Sequence, residues 1–245
     1  MTTLDLAVVL VGFLTAALSG AAGLGGGTIL IGVFYALGMP PSEAVPLFAA
    51  VQFVSNSSRT IAYVRDVEWS AAGWFLLAGI PATLLVAPFA AGIDGNAVKL
   101  VLAGLILASL APQAKTATLP ARPAFMIAGF LNGTIGLFIG ATGLFIGRLF
   151  FRPEWRKETV IGTLAMTQML GHGLRVLAYG LVGFSALAAP QRLVPLCLAV
   201  ILGTMLGKRL NGELSDQAFS RLFRVILVTL SAKLICDALR GYGWI

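Results

Sequence analysis

Charged residues are scarce in this 245-residue chain. Only 11% of its residues are charged, whereas 58% are hydrophobic, and so little polar surface cannot cover a soluble globule. Apolar runs of about the 20 residues that a membrane span needs recur along the whole chain with short polar interruptions. The composition therefore predicts an integral membrane protein with no room for a separate soluble domain.

Cysteine is also scarce, and sequence motifs of catalysis are missing. The two cysteines, Cys197 and Cys236, lie in apolar runs without the spacing of metal ligands, so we expect small buried hydrophobic side chains. The sequence has no Walker phosphate loop, no His-Glu-x2-His zinc pair and no Gly-x-Ser-x-Gly nucleophile elbow. We predict that the protein is not an enzyme and needs no cofactor or metal.

Positive charge exceeds negative charge, with a formal net charge of +7. The lysines and arginines cluster at the ends of apolar segments, where the orientation of a membrane protein requires them. No nucleic-acid partner is predicted. The first five residues lack the positive charge of a secretory signal, so we expect the first apolar segment to be retained.

Glycine, in contrast, is abundant: the chain has 29, and a cluster over residues 20–27 interrupts the apolar stretch 6–37. A glycine weakens a helix interior by about 1 kcal/mol relative to alanine. Two explanations remain open at this point. The glycines either let helices pack closely, or they break a membrane helix so that its exposed amides bind an anion.

The second half of the chain repeats the first. Residues 12–14, Gly-Phe-Leu, return at 129–131, and the polar residues of the third apolar segment return 116 positions later. These polar pairs are Gln52 with Gln168, Asn56 with His172, Arg59 with Arg175 and Tyr63 with Tyr179. We therefore predict two related transmembrane repeats, residues 1–110 and 123–245, joined by a proline-containing linker at 111–122.

Each repeat contains five apolar segments, which we expect to be helices. Segments 25–38 and 143–151 are too short to cross a hydrocarbon core of about 30 Å at 1.5 Å per residue, so we interpret them as half-helices of re-entrant pairs. If the chain reverses at the glycines, most basic residues fall on one side of the membrane, and the two repeats have inverted topology. The segments are 5–19, 25–38, 43–64, 70–91 and 96–110, then 123–138, 143–151, 159–181, 191–208 and 216–238.

The glycine breaks and the polar stripes are the candidate binding elements. The helix beginning near Thr28 has unpaired amides and the positive end of its dipole directed at the glycine cluster, an arrangement that suits an anion. Gln52, Asn56 and Arg59 are spaced by four and three residues, so they lie on one helix face. Polar side chains within membrane segments usually face the bundle interior or a wet cavity.

Other interpretations of these residues stay open. The amides and imidazole could merely hold the bundle together by interhelical hydrogen bonds. The arginines either bind an oxyanion through their planar guanidinium or extend to the membrane interface. His172, the one histidine, is either a proton carrier or an ordinary hydrogen-bonding residue.

The predicted substrate site draws on both repeats. It comprises Gly23, Gly25, Gly26, Gly27, Thr28, Gln52, Asn56 and Arg59 from the first repeat and Gly140, Thr142, Gly143, Gln168, His172 and Arg175 from the second.

These motifs carry a family likeness. Gly23-Leu24-Gly25-Gly26-Gly27, the polar segment that begins at Pro41-Ser42-Glu43-Ala44, and the same order after a central linker resemble the TauE/SafE sulfite exporter family over nearly the whole chain. The resemblance implies transport of small sulfur-containing or organic anions, such as sulfite, sulfoacetate or related sulfonates, across a bacterial inner membrane. The second glycine motif, residues 140–144, is poorer in glycine, so we expect the anion to lie nearer Gly25 to Thr28.

Together these observations predict an all-α, multi-pass secondary transporter of two inverted repeats, with a small anion bound near the membrane midplane between them. Its partners would be that anion and the lipid bilayer, with the substrate gradient or a coupled proton or sodium ion as the driving force. Faces rich in small residues are compatible with a homodimer. An anion channel and a non-transporting membrane scaffold subunit are the alternatives.

Overall fold

The computed structural model describes residues 3–22, 25–111, 119–210 and 216–245. Gly23 of the predicted site and most of the predicted linker lie outside these ranges. All regular secondary structure in the described ranges is helical, which confirms the all-helical prediction. The α-helices are α1 Thr3–Ala22, α2 Gly26–Ala36, α3 Pro41–Ala62, α4 Ser70–Val86, α5 Gly95–Leu110, α6 Ala121–Gly133, α7 Ile135–Ile139, α8 Gly143–Ile146, α9 Lys157–Leu181, α10 Pro190–Arg209 and α11 Asp216–Gly241.

Three predicted segments differ in detail from the observed helices. The segment 70–91 continues as a 3-10 helix over Ala87–Gly92, because Pro88 lacks the amide that an α-helix would use there. The segment 123–138 is two helices, since Thr134, with φ −91° and ψ −87°, lies outside the helical region. The segment 143–151 is the short helix α8 followed by a 3-10 turn over Gly147–Phe150.

The chain reverses direction between α1 and α2. The Gly26 amide donates to Ser19 Oγ at 3.0 Å, and a Cβ on Gly26 would lie 1.9 Å from the carbonyl oxygen of Thr15. Residues 15 and 26 of one continuous helix would be about 16 Å apart, so α2 must return alongside α1. Gly25, with φ 91°, provides the left-handed conformation at this turn.

A second reversal follows α7. Asn132 Nδ2 donates to Thr142 Oγ1 at 2.8 Å, although the two residues would be about 15 Å apart in one helix. Gly140, with φ 94°, takes the left-handed conformation here. Both predicted glycine breaks are therefore sharp turns in the chain.

The four most extensive helix pairings are the same when the two halves are exchanged. Helix α1 packs on α10 as α6 packs on α4, while α3 packs on α9 and α5 on α11. The exchange that preserves these pairs replaces α1 by α6, α3 by α9, α4 by α10 and α5 by α11. Such a pattern is expected of two related halves; their orientation in a membrane stays a prediction.

Several glycines bring helices into close contact. A Cβ on Gly207 of α10 would lie 2.1 Å from the carbonyl oxygen of Ala17 in α1, and one on Gly129 of α6 would lie 2.0 Å from that of Phe75 in α4. Close packing, the first explanation for the abundant glycine, therefore applies to both of these helix pairs.

Many large apolar side chains are exposed, and several polar side chains are buried. Leu6, Leu10 and Leu14 form an exposed stripe on α1, whereas Gln52 and Gln168 are buried. Among the described residues, two helices, Ser70–Ala90 and Pro190–Arg209, are long and apolar enough to cross a membrane, and further apolar helices are shorter. Helices α3 and α9 are long, but their polar stripes lower their mean hydropathy.

Candidate functional site

A small cavity lies where the start of α2 and the turn before α8 meet the middle of α3 and α9. Its volume is about 40 Å³, which is enough to hold water. The lining residues come from both halves of the chain. They are Ser19, Gly25, Gly27, Thr28, Phe48, Gln52, Asn56, Arg59, Ala141, Thr142, Gly143, Leu164, Gln168 and His172.

Most of the predicted site residues line this cavity, but three described ones do not. Gly26 packs against α1, and its amide is bonded to Ser19. Gly140 and Arg175 lie behind the cavity wall, where Arg175 Nη1 donates to the Gly140 carbonyl oxygen at 2.6 Å. The sequence therefore identified the right segments, while the structure separates the residues that face the cavity from those that support it.

The amides at the start of α2 are largely occupied within the protein. Besides the Gly26 amide, those of Thr28 and Ile29 donate to the Gly25 carbonyl oxygen, at 3.1 and 3.3 Å. The helix still directs the positive end of its dipole at the cavity, and this end is equivalent to about half an elementary charge. Helix α8 has only four residues, so its aligned dipoles sum to less. Side chains must therefore supply much of the hydrogen bonding to a ligand.

Arg59 is a buried positive charge at the cavity wall. Its side chain is 5% exposed, so it does not extend to the surface, and Nη1 donates to Asn56 Oδ1 at 3.3 Å. Its Nε has no hydrogen-bond partner, and none of the ion pairs among the described residues involves it. Burying a charge without a counterion is costly, so Arg59 favours the entry of an anion.

The amide of Gln168 offers a second free donor. Its Oε1 accepts from Thr142 Oγ1 at 3.3 Å, while its Nε2 is buried without a partner. Asn132 holds this arrangement by donating to the same Thr142 hydroxyl. Sequence reasoning missed Asn132, whose position as a polar residue inside an apolar segment was the available signal.

The two arginines at matched positions have different surroundings. Arg175 is 1% exposed and does not line the cavity. Besides its bond to Gly140, its Nη2 donates to Asn132 Oδ1 at 3.3 Å, and its Nη1 lies 2.8 Å from His172 Nδ1. Arg175 therefore joins α9 to α6 and to the end of α7, whereas Arg59 presents its charge to the cavity.

The electrostatic character of the cavity is positive. Arg59 is the one charged side chain among the lining residues, and no carboxylate is among them. Within the described ranges, no group of His, Cys, Asp and Glu side chains could hold a metal ion. Amides, hydroxyls and a guanidinium are suited to binding an oxyanion by hydrogen bonds.

Outward apolar stripes around a buried polar cavity define the class: helical membrane proteins that handle a small polar solute. The family model described as Sulfite exporter TauE/SafE matches residues 8–234, so the chain belongs to this family of membrane exporters. The resemblance inferred from the glycine and polar motifs is thereby confirmed. No curated protein and no solved structure matches the chain significantly.

Proposed function

We propose that the protein is a secondary transporter of a small sulfur-containing oxyanion, with sulfite as the best fit, and that the anion binds in the central cavity. The observation that carries this proposal is Arg59, a guanidinium buried at the cavity wall without a carboxylate counterion. A bound anion would neutralise this charge, and charge-assisted hydrogen bonds are about twice as strong as neutral ones.

Both halves supply donors to the anion. Gln168 Nε2 has no partner within the protein, and the hydroxyl of Thr28 and the imidazole of His172 also belong to lining residues. An oxyanion has several oxygen atoms that each accept hydrogen bonds. Donors placed around the cavity would satisfy them without any one side chain providing all the contacts.

The size of the cavity favours sulfite over longer sulfonates. A volume of about 40 Å³ is small, so one sulfur atom with three oxygens should fit more easily than sulfoacetate, whose added carboxymethyl group needs more room. We therefore expect sulfoacetate and taurine to compete with sulfite weakly.

The proposed architecture is two inverted repeats that cross a bacterial inner membrane several times, with the anion near the midplane. The unchanged helix pairing on exchange of the halves and the glycine turns in both halves support this arrangement, which is common in secondary transporters. Alternating access would then come from one repeat moving against the other, driven by the sulfite gradient or by a coupled proton or sodium ion.

Counterflow in proteoliposomes tests the proposal. Vesicles containing the purified protein and unlabelled sulfite should accumulate radiolabelled sulfite without nucleotide, with saturable kinetics, and protein-free vesicles should not. Currents that rise without saturation and lack counterflow would indicate an anion channel instead. If the protein neither moves sulfite nor gains thermal stability from it, the proposal is wrong.

A further inference from the structure

Each matched arginine contacts the residue three positions before it in the same helix. Arg59 Nη1 donates to Asn56 Oδ1 at 3.3 Å, and Arg175 Nη1 lies 2.8 Å from His172 Nδ1. Residues three apart are neighbours on a helix face. The two halves therefore use the same contact, although the partner is an amide in one and an imidazole in the other.

The contact in the second half determines which nitrogen of His172 carries the proton. A guanidinium has five N–H donors and no acceptor, so Nδ1 of His172 must be the acceptor in this pair. A neutral imidazole has one protonated nitrogen, which is then Nε2. The Gly140 carbonyl oxygen, 2.6 Å from Arg175 Nη1, and Asn132 hold the guanidinium in the position that makes this contact.

The surroundings of the ring keep it in this orientation. His172 is 3% exposed, and the ring of Phe48 meets it edge to face, with 5.4 Å between centroids and 76° between planes. His172 lines the cavity, whereas Arg175 does not. Because Nδ1 is engaged by Arg175, Nε2–H is the group that remains for a ligand in the cavity.

A second proton on the ring is disfavoured by the same contacts. The charged groups near the ring are Arg175 on its own helix and Arg59 of α3, which lines the same cavity, while Asn132 of α6 and the Gly140 carbonyl after α7 contact Arg175. A proton on Nδ1 would displace the Arg175 contact and add a positive charge beside two guanidinium groups. No carboxylate lies among the cavity-lining residues to balance it.

We propose that Arg175 is a positioning residue that holds His172 as the neutral Nε2–H tautomer, so that His172 donates a hydrogen bond to the transported anion and does not carry a proton. The identity of the anion rests on the proposed function, but the tautomer does not. Sulfite transport would then need another route for any coupled proton.

Nuclear magnetic resonance of isotope-labelled histidine tests the tautomer. His172 is the one histidine of the chain, so every signal from a labelled histidine ring nitrogen belongs to it and no residue assignment is needed. In the full-length protein in lipid nanodiscs, without anion, Nδ1 should be unprotonated and Nε2 protonated. A protonated Nδ1, alone or together with Nε2, would overturn the proposal.

Two arginine variants distinguish the positioning of the His172 ring by Arg175 from a general effect of a nearby positive charge. Arg175→Met should release His172 into a mixture of tautomers, whereas Arg59→Met, which removes the matched charge from α3, should leave the tautomer unchanged. If both variants keep the pure Nε2–H form, Arg175 does not position the ring. If Arg175→Met fails to fold, the Nδ1 signal of the wild-type protein decides: the hydrogen bond from Arg175 should shift it upfield of a free unprotonated ring nitrogen, and an unshifted signal would overturn the positioning role.

Sulfite added to the wild-type protein should shift the Nε2 signal and leave Nδ1 unprotonated. An unchanged Nε2 signal in protein that transports sulfite would show that His172 does not donate to the anion. An Nε2–H tautomer in protein that neither binds nor transports sulfite would refute the proposed function and the donation to sulfite, but not the assigned tautomer.

Discussion

Replacing Arg59 with methionine should have opposite effects on stability and on anion binding. The side chain is 5% exposed and lacks an ion pair, so without sulfite it is an uncompensated buried charge. Replacing buried charged groups with apolar ones of similar volume often stabilises a protein by about 1–4 kcal/mol. The lost hydrogen bond to Asn56 reduces this stabilisation by about 1 kcal/mol. We therefore expect the free energy of unfolding of Arg59→Met without anion to rise by about 0–3 kcal/mol.

The same change should weaken sulfite binding strongly. Removing one partner of a buried charge pair costs about 2–5 kcal/mol, which raises the dissociation constant about 30-fold to several thousand-fold. Thermal unfolding of the purified variant with and without sulfite measures both effects. Without sulfite the variant should unfold at the wild-type temperature or above it, and sulfite should no longer stabilise it.

Arg175→Met is the matched control on α9. Arg175 donates to the Gly140 carbonyl oxygen and to Asn132, and each buried acceptor that loses its partner costs about 1–3 kcal/mol. Arg175 is also a buried charge without an ion pair, so its removal likewise gains about 1–4 kcal/mol. The Gly140 carbonyl, Asn132 and His172 lose their donor, however, at about 3–9 kcal/mol together, so this variant should be less stable than the wild type. An Arg59→Met protein that is also destabilised without anion, or that keeps wild-type sulfite affinity, would refute the assignment of Arg59 as the anion's counterion.

Glycine substitutions should distinguish a glycine that lines the cavity from glycines that allow close helix contacts. Gly143→Ala places a methyl group at a cavity position with no atom within 4 Å, so stability should not fall. Sulfite uptake should need higher sulfite concentrations because the methyl group narrows the cavity. Unchanged uptake would show that Gly143 is not part of the site. Gly26→Ala would bring a methyl group to 1.9 Å from the Thr15 carbonyl oxygen and should lower the free energy of unfolding by about 1–3 kcal/mol. Gly129→Ala, at 2.0 Å from the Phe75 carbonyl oxygen, should destabilise similarly, yet the folded fraction should bind sulfite with wild-type affinity; weaker binding there would show that the α4–α6 contact also shapes the site.

Sequence patterns were sufficient for the class of protein and for the segments that form the cavity. Hydrophobicity is a property of composition, and the spacing of Gln52, Asn56 and Arg59 defines one helix face whatever surrounds it. The matched stripe of α9 and the glycine turns follow from the internal repeat. These features are local along the chain, so no tertiary contact is needed to recognise them.

The tertiary structure alone decided which residue of each motif does what. Gly26 and Gly143 belong to matching glycine motifs, but a carbonyl oxygen of α1 lies beside the first and open space beside the second. Arg59 and Arg175 occupy equivalent positions, yet Gly140 and Asn132 surround only Arg175. What a side chain meets depends on neighbouring helices that are distant in sequence. The sequence by itself therefore determined a bundle of membrane helices with polar stripes and with turns at glycines. The packing of α6 and α7 against α9 decided that Arg59, rather than Arg175, faces the cavity.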